Sequence, residues 1–168
     1  MTTASRRTDS PSTIGRAVLQ TAAFVVLVNA VGAAPSVVFG TGGEWLRGLD
    51  KPGFYPPQLA FPIAWTALFT LLGIALWLVW RADADGRTLA LWLFAVQFLF
   101  NVAWTPAFFG LESVTAGLAV IIPLWFLVVA TTVAFARVDR RAGALLVPYL
   151  AWVTFALALS ISLWRLNG

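Results

Sequence analysis

The chain has 168 residues, of which 60% are hydrophobic and 11% are charged, with a mean hydropathy of +0.86 and a formal net charge of +4. Because soluble domains contain about 45–50% apolar and about 25% charged residues, this composition excludes a soluble globular protein and predicts an integral membrane protein of one domain. The absence of Cys and His excludes disulfides, thiol catalysis and haem attachment through Cys, and it removes the commonest metal ligand, so no metal site is expected.

A polar tail and a long apolar segment begin the chain. Residues 1–12 are rich in Ser, Thr and charged side chains and are predicted to be a disordered tail, after which residues 13–168 form the membrane domain. The first apolar segment, residues 14–39, is longer than the 7–15-residue core of a signal peptide, so a spanning helix is predicted. Its small residues allow close helix packing, either with a second copy of the chain or within one bundle; the pairs are Ala30 with Ala34 and Gly32 with Ser36.

Residues 40–57 form the longest internal loop, which exceeds the usual length of helix–helix connections and therefore indicates a lid or binding loop. Its end belongs to the segment KPGFYPPQLAFPIAW, residues 51–65, in which Pro56 and Pro57 are predicted to end an extended stretch and to begin the second helix at its first turn. The alternative is a plain helix start with interfacial aromatic residues, as in any membrane protein.

Four more apolar segments follow, each long enough to cross a hydrocarbon core of ~30 Å. The predicted helices comprise residues 58–80, 88–109, 114–136 and 142–164. Together with the first segment they predict an all-α integral membrane protein, built as a bundle of five transmembrane helices.

Lys and Arg residues are distributed unevenly between the two ends of the predicted bundle. The end that carries the N-terminus has eight of them: Arg6, Arg7, Arg16, Arg81, Arg87, Arg137, Arg140 and Arg141. The opposite end has three: Arg47, Lys51 and Arg165. By the positive-inside rule the N-terminus is predicted to be cytoplasmic, with the long loop and the C-terminus outside. Because these cations lie between apolar spans and form no common patch, nucleic-acid binding is not expected.

The predicted spans contain no acidic residue, which argues against a carboxylate proton relay. They carry instead two stripes of polar and aromatic residues at helical spacing: Gln97, Asn101, Trp104 and Phe108 on the third span, and Tyr149, Trp152, Ala156 and Ser160 on the fifth. Such stripes can line a pocket for a large, planar, mainly apolar ligand. A lone residue such as Asn101 can equally be an interhelical hydrogen-bonding group.

Three segments, in this order and spacing, resemble the signature segments of a known family. They are KPGFYPPQLAFPIAW, QFLFNVAWTPAFFG and PYLAWVTFALALSISLWRLN. The family is TspO/MBR, the tryptophan-rich sensory proteins related to the mitochondrial translocator protein. The resemblance covers roughly residues 30–167, which is nearly everything except the tail.

The resemblance implies a five-helix bundle, commonly dimeric, whose cavity is closed by the first long loop. Members bind porphyrins and haem-like tetrapyrroles, and some bind sterols or isoquinolines. The implied ligand contacts, together with Gln97 from the stripe on the third span, are Trp65, Asn101, Trp104, Tyr149, Trp152 and Ala156. Trp45 and Phe54 resemble the loop aromatics that cover the pocket, and Pro56 and Pro57 fix the shape of the loop.

The expected partners are therefore the lipid bilayer, a tetrapyrrole such as protoporphyrin IX or haem, or another planar apolar ligand, and a second copy of the chain. No obligatory cofactor is expected, and the expected location is a bacterial cell membrane. An iron porphyrin would lack His and Cys ligands, which leaves Tyr55 or Tyr149, so free-base porphyrin is at least as good a ligand as haem.

Two departures from the family pattern affect ligand choice. Ser160 stands where the family has Asn, seven residues before Asn167, and it offers a shorter hydrogen-bonding side chain. The sterol motif of the animal relatives needs Lys or Arg within five residues after a Tyr, but LAWVT follows Tyr149 and PPQLA follows Tyr55. Sterol recognition by that motif is not expected.

Three functions remain open at this point. The leading hypothesis is a tetrapyrrole-binding protein with a regulatory or trafficking role. The second is an enzyme that degrades porphyrin photochemically or oxidatively, with Trp45 or Trp152 as electron donor, although the chain has no conventional acid–base set. The third is a transporter of another apolar ligand.

Overall fold

A computed structural model of the chain describes residues 11–168. The described residues form helices and no strand: α1 (Pro11–Phe39), α2 (Glu44–Gly48), α3 (Ala60–Arg81), α4 (Arg87–Thr105), α5 (Val114–Val138) and α6 (Arg140–Asn167). All of these except α2 are long and apolar enough to cross a membrane. The predicted all-α bundle of five transmembrane helices is confirmed.

Helix ends differ from the predicted ones where local hydrogen bonds extend a helix. Most of the predicted tail, residues 1–10, lies outside the described residues, but α1 already begins at Pro11. The last helix begins at Arg140 because the Asp139 carboxylate accepts a hydrogen bond from the Arg141 backbone N–H at 2.7 Å, which caps the first turn. The prediction began this helix at residue 142.

The prolines of the loop lie before the second spanning helix and not in its first turn, so that prediction was wrong. Helix α3 begins at Ala60, and the preceding residues form turns in which Tyr55 N–H donates to Pro52 and Ala60 N–H donates to the carbonyl of Pro57. The loop also contains the short helix α2, which the sequence analysis did not predict.

The five spanning helices form a closed ring in the order α1, α3, α6, α5, α4. Helix α3 also touches α4, whereas α4 and α6 lie on opposite sides of the ring and their described backbones do not meet. The interior is filled by side chains that are fully buried, among them Leu72, Val79, Val128, Phe135 and Leu146. Large aliphatic side chains such as Val18 and Leu99 lie on the outer surface, as expected for a face that contacts lipid.

Small residues bring α1 and α3 close together. A Cβ on Gly73 would lie 2.6 Å from the backbone Cα of Val25, and a Cβ on Gly32 would lie 2.5 Å from the ring of Phe69. Gly32 therefore packs within one bundle, whereas Ala30 and Ala34 are exposed on the outer face of α1.

A second apolar cluster closes the end of the ring beneath the long loop. Its buried residues are Leu46, Phe108, Val114, Leu159 and Leu163. Leu46 comes from α2, so the loop contributes directly to the packed end of the bundle. Helix α4 ends here in a π-helical turn, Pro106–Gly110.

Candidate functional site

Three polar side chains meet at the centre of the ring. Gln97 and Asn101 are four residues apart on α4 and therefore share one face, and Tyr149 reaches them from α6 across the ring. The Asn101 amide Nδ2 donates to the Tyr149 hydroxyl at 3.0 Å, and that hydroxyl donates to Gln97 Oε1 at 2.8 Å. Gln97 and Tyr149 are fully buried, and Asn101 is 7% exposed. This trio connects two helices whose backbones do not touch.

The trio shows that Asn101 makes the interhelical hydrogen bond that the sequence analysis left open as an alternative. Such bonds satisfy polar groups that neither lipid nor an apolar core can satisfy. The bond to Tyr149 uses the Asn101 amide donor, so the same residue can still present its carbonyl oxygen to a ligand.

Two further polar groups on α4 are buried without a partner. Gln97 Nε2 and Trp104 Nε1 are inaccessible to solvent and make no hydrogen bond. Both are N–H donors, and their residues are seven positions apart, which places them on the same face of the helix. This face of α4 therefore presents two N–H donors that no acceptor of the described residues satisfies.

Aromatic side chains from three helices pack against the core that contains Tyr149. Trp65 of α3 contacts Tyr149 edge-on at a centroid distance of 6.3 Å and lies 5.1 Å from Phe69. Trp152 of α6 contacts Phe61 at 6.1 Å and Phe155 at 5.6 Å. Trp65, Trp104, Trp152 and Ala156 all pack against the core cluster that contains Tyr149.

The π-helical turn at the end of α4 connects this interior to the loop. Trp104 stacks on Phe108 at 4.9 Å with an interplanar angle of 12°, and Trp45 of α2 contacts the same Phe108 edge-on at 5.2 Å. Trp104 packs against both apolar clusters. Extra-residue turns of this kind re-aim side chains and are frequent at functional sites.

The loop is fastened to the bundle by few polar contacts. The Asp50 backbone N–H donates to Asn167 Oδ1 at 2.9 Å, and Asn167 Nδ2 donates back to the Asp50 carbonyl at 3.0 Å. Phe54 contacts Phe155 at 6.3 Å and is 51% exposed. Pro56 is half-buried and Pro57 is exposed, so these prolines lie at the edge of the covered region.

The structure therefore brings together the predicted residues on the spanning helices, which are Trp65, Gln97, Asn101, Trp104, Tyr149, Trp152 and Ala156. Trp45 reaches this group through Phe108, whereas Phe54 stays at the rim. Phe61 and Phe155 are aromatic neighbours of Trp152 that the sequence did not indicate, although Phe61 lies one turn before Trp65. The pairing of Asp50 with Asn167 was not predicted either, because these residues lie 117 positions apart and carry no shared local pattern.

Two open grooves lie beside the packed interior. One, of about 490 Å³, is lined by residues of α3 and α6 that include Ala67, Ala151 and Trp152. The other, of about 410 Å³, lies between α1 and α3 and includes Trp77. Because Gln97 and Tyr149 are fully buried, a ligand that reaches them must displace side chains of the interior or of the loop.

Known proteins resemble this chain over most of its length. Residues 24–165 match the profile of the TspO/MBR family. The chain is 43% identical over 124 residues to the "Tryptophan-rich sensory protein" of Cereibacter sphaeroides, which covers 74% of this chain and 77% of that protein. It is 39% identical over 159 residues to the "Tryptophan-rich protein TspO" of Chlorobaculum tepidum (92% and 99% covered). It is 35% identical over 133 residues to the human "Translocator protein" (77% and 79% covered).

Proposed function

Since the chain belongs to the TspO/MBR family, we propose that it binds a tetrapyrrole such as protoporphyrin IX between its transmembrane helices and has a regulatory or transport role. The observation that carries this proposal is the contact of Trp65 with the buried Tyr149, together with the packing of Trp104 and Trp152 against the same core cluster one turn after Asn101 and Tyr149. Flat indole rings suit a planar aromatic ligand, and amide groups suit its polar edge.

Free-base porphyrin fits the donor set better than haem does. The chain has no His or Cys, and the Tyr149 hydroxyl already donates to Gln97 and accepts from Asn101. Burial raises the pKa of the Tyr55 phenol, which makes the phenolate that iron requires harder to form. Binding through stacking and hydrogen bonds requires none of these ligands.

Access to the site needs movement of the loop, which we propose acts as its lid. The loop covers the end of the ring through Leu46 and Trp45, and its polar attachment rests on the Asp50–Asn167 pair. A lid of this kind excludes water from the bound ligand and releases it into the membrane interface when it opens.

Light-dependent degradation of the bound porphyrin is the second candidate function. It is favoured by the aromatic contacts from Trp45 through Phe108 to Trp104, which connect the loop to the interior, and by Trp152 at the wall of the same interior. In this case an indole would donate an electron to the photoexcited porphyrin.

Quenching of Trp fluorescence by protoporphyrin IX in detergent tests the binding proposal. Wild type should show saturable quenching, and Trp65→Phe and Trp152→Phe should each weaken it three- to tenfold, about 0.7–1.4 kcal/mol, because the smaller ring loses stacking area. Trp92→Phe is the matched control, since Trp92 lies on the outer face of α4 and is 67% exposed.

The same four proteins, together with Trp45→Phe, separate the functions. Quenching that is unsaturable and equal in all four proteins would mean that porphyrin only partitions into detergent, which contradicts the proposal. Loss of porphyrin absorbance under light, abolished by Trp45→Phe or Trp152→Phe while binding persists, would establish the degradation reaction.

A further inference from the structure

Three buried side-chain N–H groups of the described residues lack a hydrogen-bond partner, and two of them lie on the binding face of α4. They are Gln97 Nε2 and Trp104 Nε1; the third, Trp77 Nε1, lies on α3 beside the α1–α3 groove. A buried donor without an acceptor costs free energy and calls for an explanation, such as a role in holding a ligand. Gln97 is 0% exposed, so bulk solvent does not satisfy its amide.

The hydrogen bonds of the trio make the Gln97 amide a strong donor. They run in one direction, from the Asn101 amide to the Tyr149 hydroxyl and from that hydroxyl to Gln97 Oε1. An amide whose carbonyl accepts a hydrogen bond is polarised and donates more strongly through its nitrogen. In the structure the nitrogen of Gln97 is therefore the end of this amide that has no partner.

The two free donors form a pair along one helix face. Seven residues correspond to about 10.5 Å along the axis, so Gln97 and Trp104 can contact two separate parts of one large planar molecule. No charged side chain is buried among the described residues. A buried carboxylate would therefore remain without a countercharge, whereas a neutral carbonyl would not need one.

We infer that Gln97 and Trp104 select ligands that carry neutral hydrogen-bond acceptors, ester or amide carbonyl oxygens above all, at the edge of a planar apolar body. This inference rests on the proposed function and adds the polar chemistry of the ligand to it. Alkyl groups at the same positions leave both N–H groups unsatisfied, so the site discriminates against them.

Three porphyrins with the same ring test this selection: protoporphyrin IX, its dimethyl ester and the purely alkylated etioporphyrin. The proteins are wild type, Gln97→Met, Trp104→Phe and the control Trp77→Phe, which removes a buried unpartnered indole N–H away from the site. Wild type should bind the ester about tenfold more tightly than etioporphyrin, the ratio expected for about 1.4 kcal/mol. The diacid should bind no more tightly than the ester.

Each site variant should reduce the ester-to-etioporphyrin ratio to threefold or less. The smaller ring of Trp104→Phe also loses stacking area, but that loss affects both porphyrins alike and leaves their ratio unaffected. Trp104→Phe keeps the trio intact, so it remains informative if Gln97→Met does not fold. Trp77→Phe should behave as wild type. Equal losses for all three porphyrins, an unchanged ratio, or tighter binding of the diacid would overturn the inference. Failure of wild type to bind any porphyrin would instead overturn the proposed function, and the inference with it.

Discussion

Tyr149 connects the polar trio to the aromatic side chains of α3. Its hydroxyl is the single link between an amide donor and an amide acceptor on α4, and its ring meets Trp65 edge-on. Tyr149 thus contacts both the amides of α4 and the indole of Trp65. The backbones of α4 and α6 do not meet, so this link between them depends on side chains.

Gly73 permits the closest backbone approach in the bundle's first helix pair. A Cβ at this position would lie 2.6 Å from Val25 Cα and 2.9 Å from its N, atoms that cannot move independently of α1. We expect Gly73→Ala to lower the free energy of unfolding by about 1–3 kcal/mol, the cost of overpacking a close contact. Gly15→Ala is the control, because no atom lies within 4 Å of its added methyl group. Thermal unfolding in detergent, followed by circular dichroism, measures both; equal midpoints would contradict the expected contact.

For single residues, the sequence predicts which side of a helix faces the interior but not which neighbouring helix that side meets. Helical spacing alone places Gln97, Asn101 and Trp104 on one side of α4, and the structure confirms that this side points inward. That it faces Tyr149 depends on the order of helices in the ring, which no local pattern contains. The free N–H groups follow from that order, so they could not be predicted either.

The loop between the first two spanning helices is an element of its own. Helix α2 places Leu46 in the second apolar cluster and Trp45 on Phe108, and the π-helical turn presents Phe108 to it. The five spans were predictable because length and hydropathy are sufficient for them. Helix α2 was not, since five residues, EWLRG, carry too few helical signals and owe their form to packing.

Asn167 fastens this loop from the far end of the chain. Asn167→Ala removes both hydrogen bonds to Asp50 and should let the loop open more often. Limited proteolysis by a Glu-specific protease reports this, because the only two Glu residues are Glu44 in the loop and Glu112 in the α4–α5 turn. Cleavage after Glu44 should accelerate about threefold or more relative to Glu112, consistent with about 0.7 kcal/mol of lost stabilisation.

The control for this experiment is Ser162→Ala, which removes a hydrogen bond to the Ala158 carbonyl within the same helix. Its cleavage ratio should equal that of wild type. An unchanged ratio in Asn167→Ala as well would show that apolar packing of Trp45 and Leu46 alone holds the loop closed.

The ring of spanning helices exposes apolar side chains on its outer surface and has a packed interior. Helix α1 is bonded to α3 through Asn29 Nδ2, which donates to Thr70 Oγ1 at 3.3 Å, while Ala30 and Ala34 face outward. Of the small residues predicted for close packing, Gly32 is used within the bundle and the two alanines remain free for a partner helix. A homodimer through this face of α1 stays a prediction, since small exposed residues permit such contact without requiring it.

The charge distribution predicts the orientation of the molecule in the membrane. The helix ends away from the loop carry Arg81, Arg87, Arg137, Arg140 and Arg141. A cytoplasmic location of this end keeps most of the eleven cationic side chains from crossing the membrane.

Because the chain has no Cys, a single Cys substitution provides one unique site for a thiol-reactive label. In intact cells a membrane-impermeant maleimide should modify the Gly42→Cys protein, whose label lies in the loop, but not the Asp85→Cys protein, whose label lies in the α3–α4 turn. Both positions are exposed, so permeabilised cells should give equal labelling. The reverse pattern would place the N-terminus outside, and labelling of both in intact cells would mean that the chain inserts in two orientations.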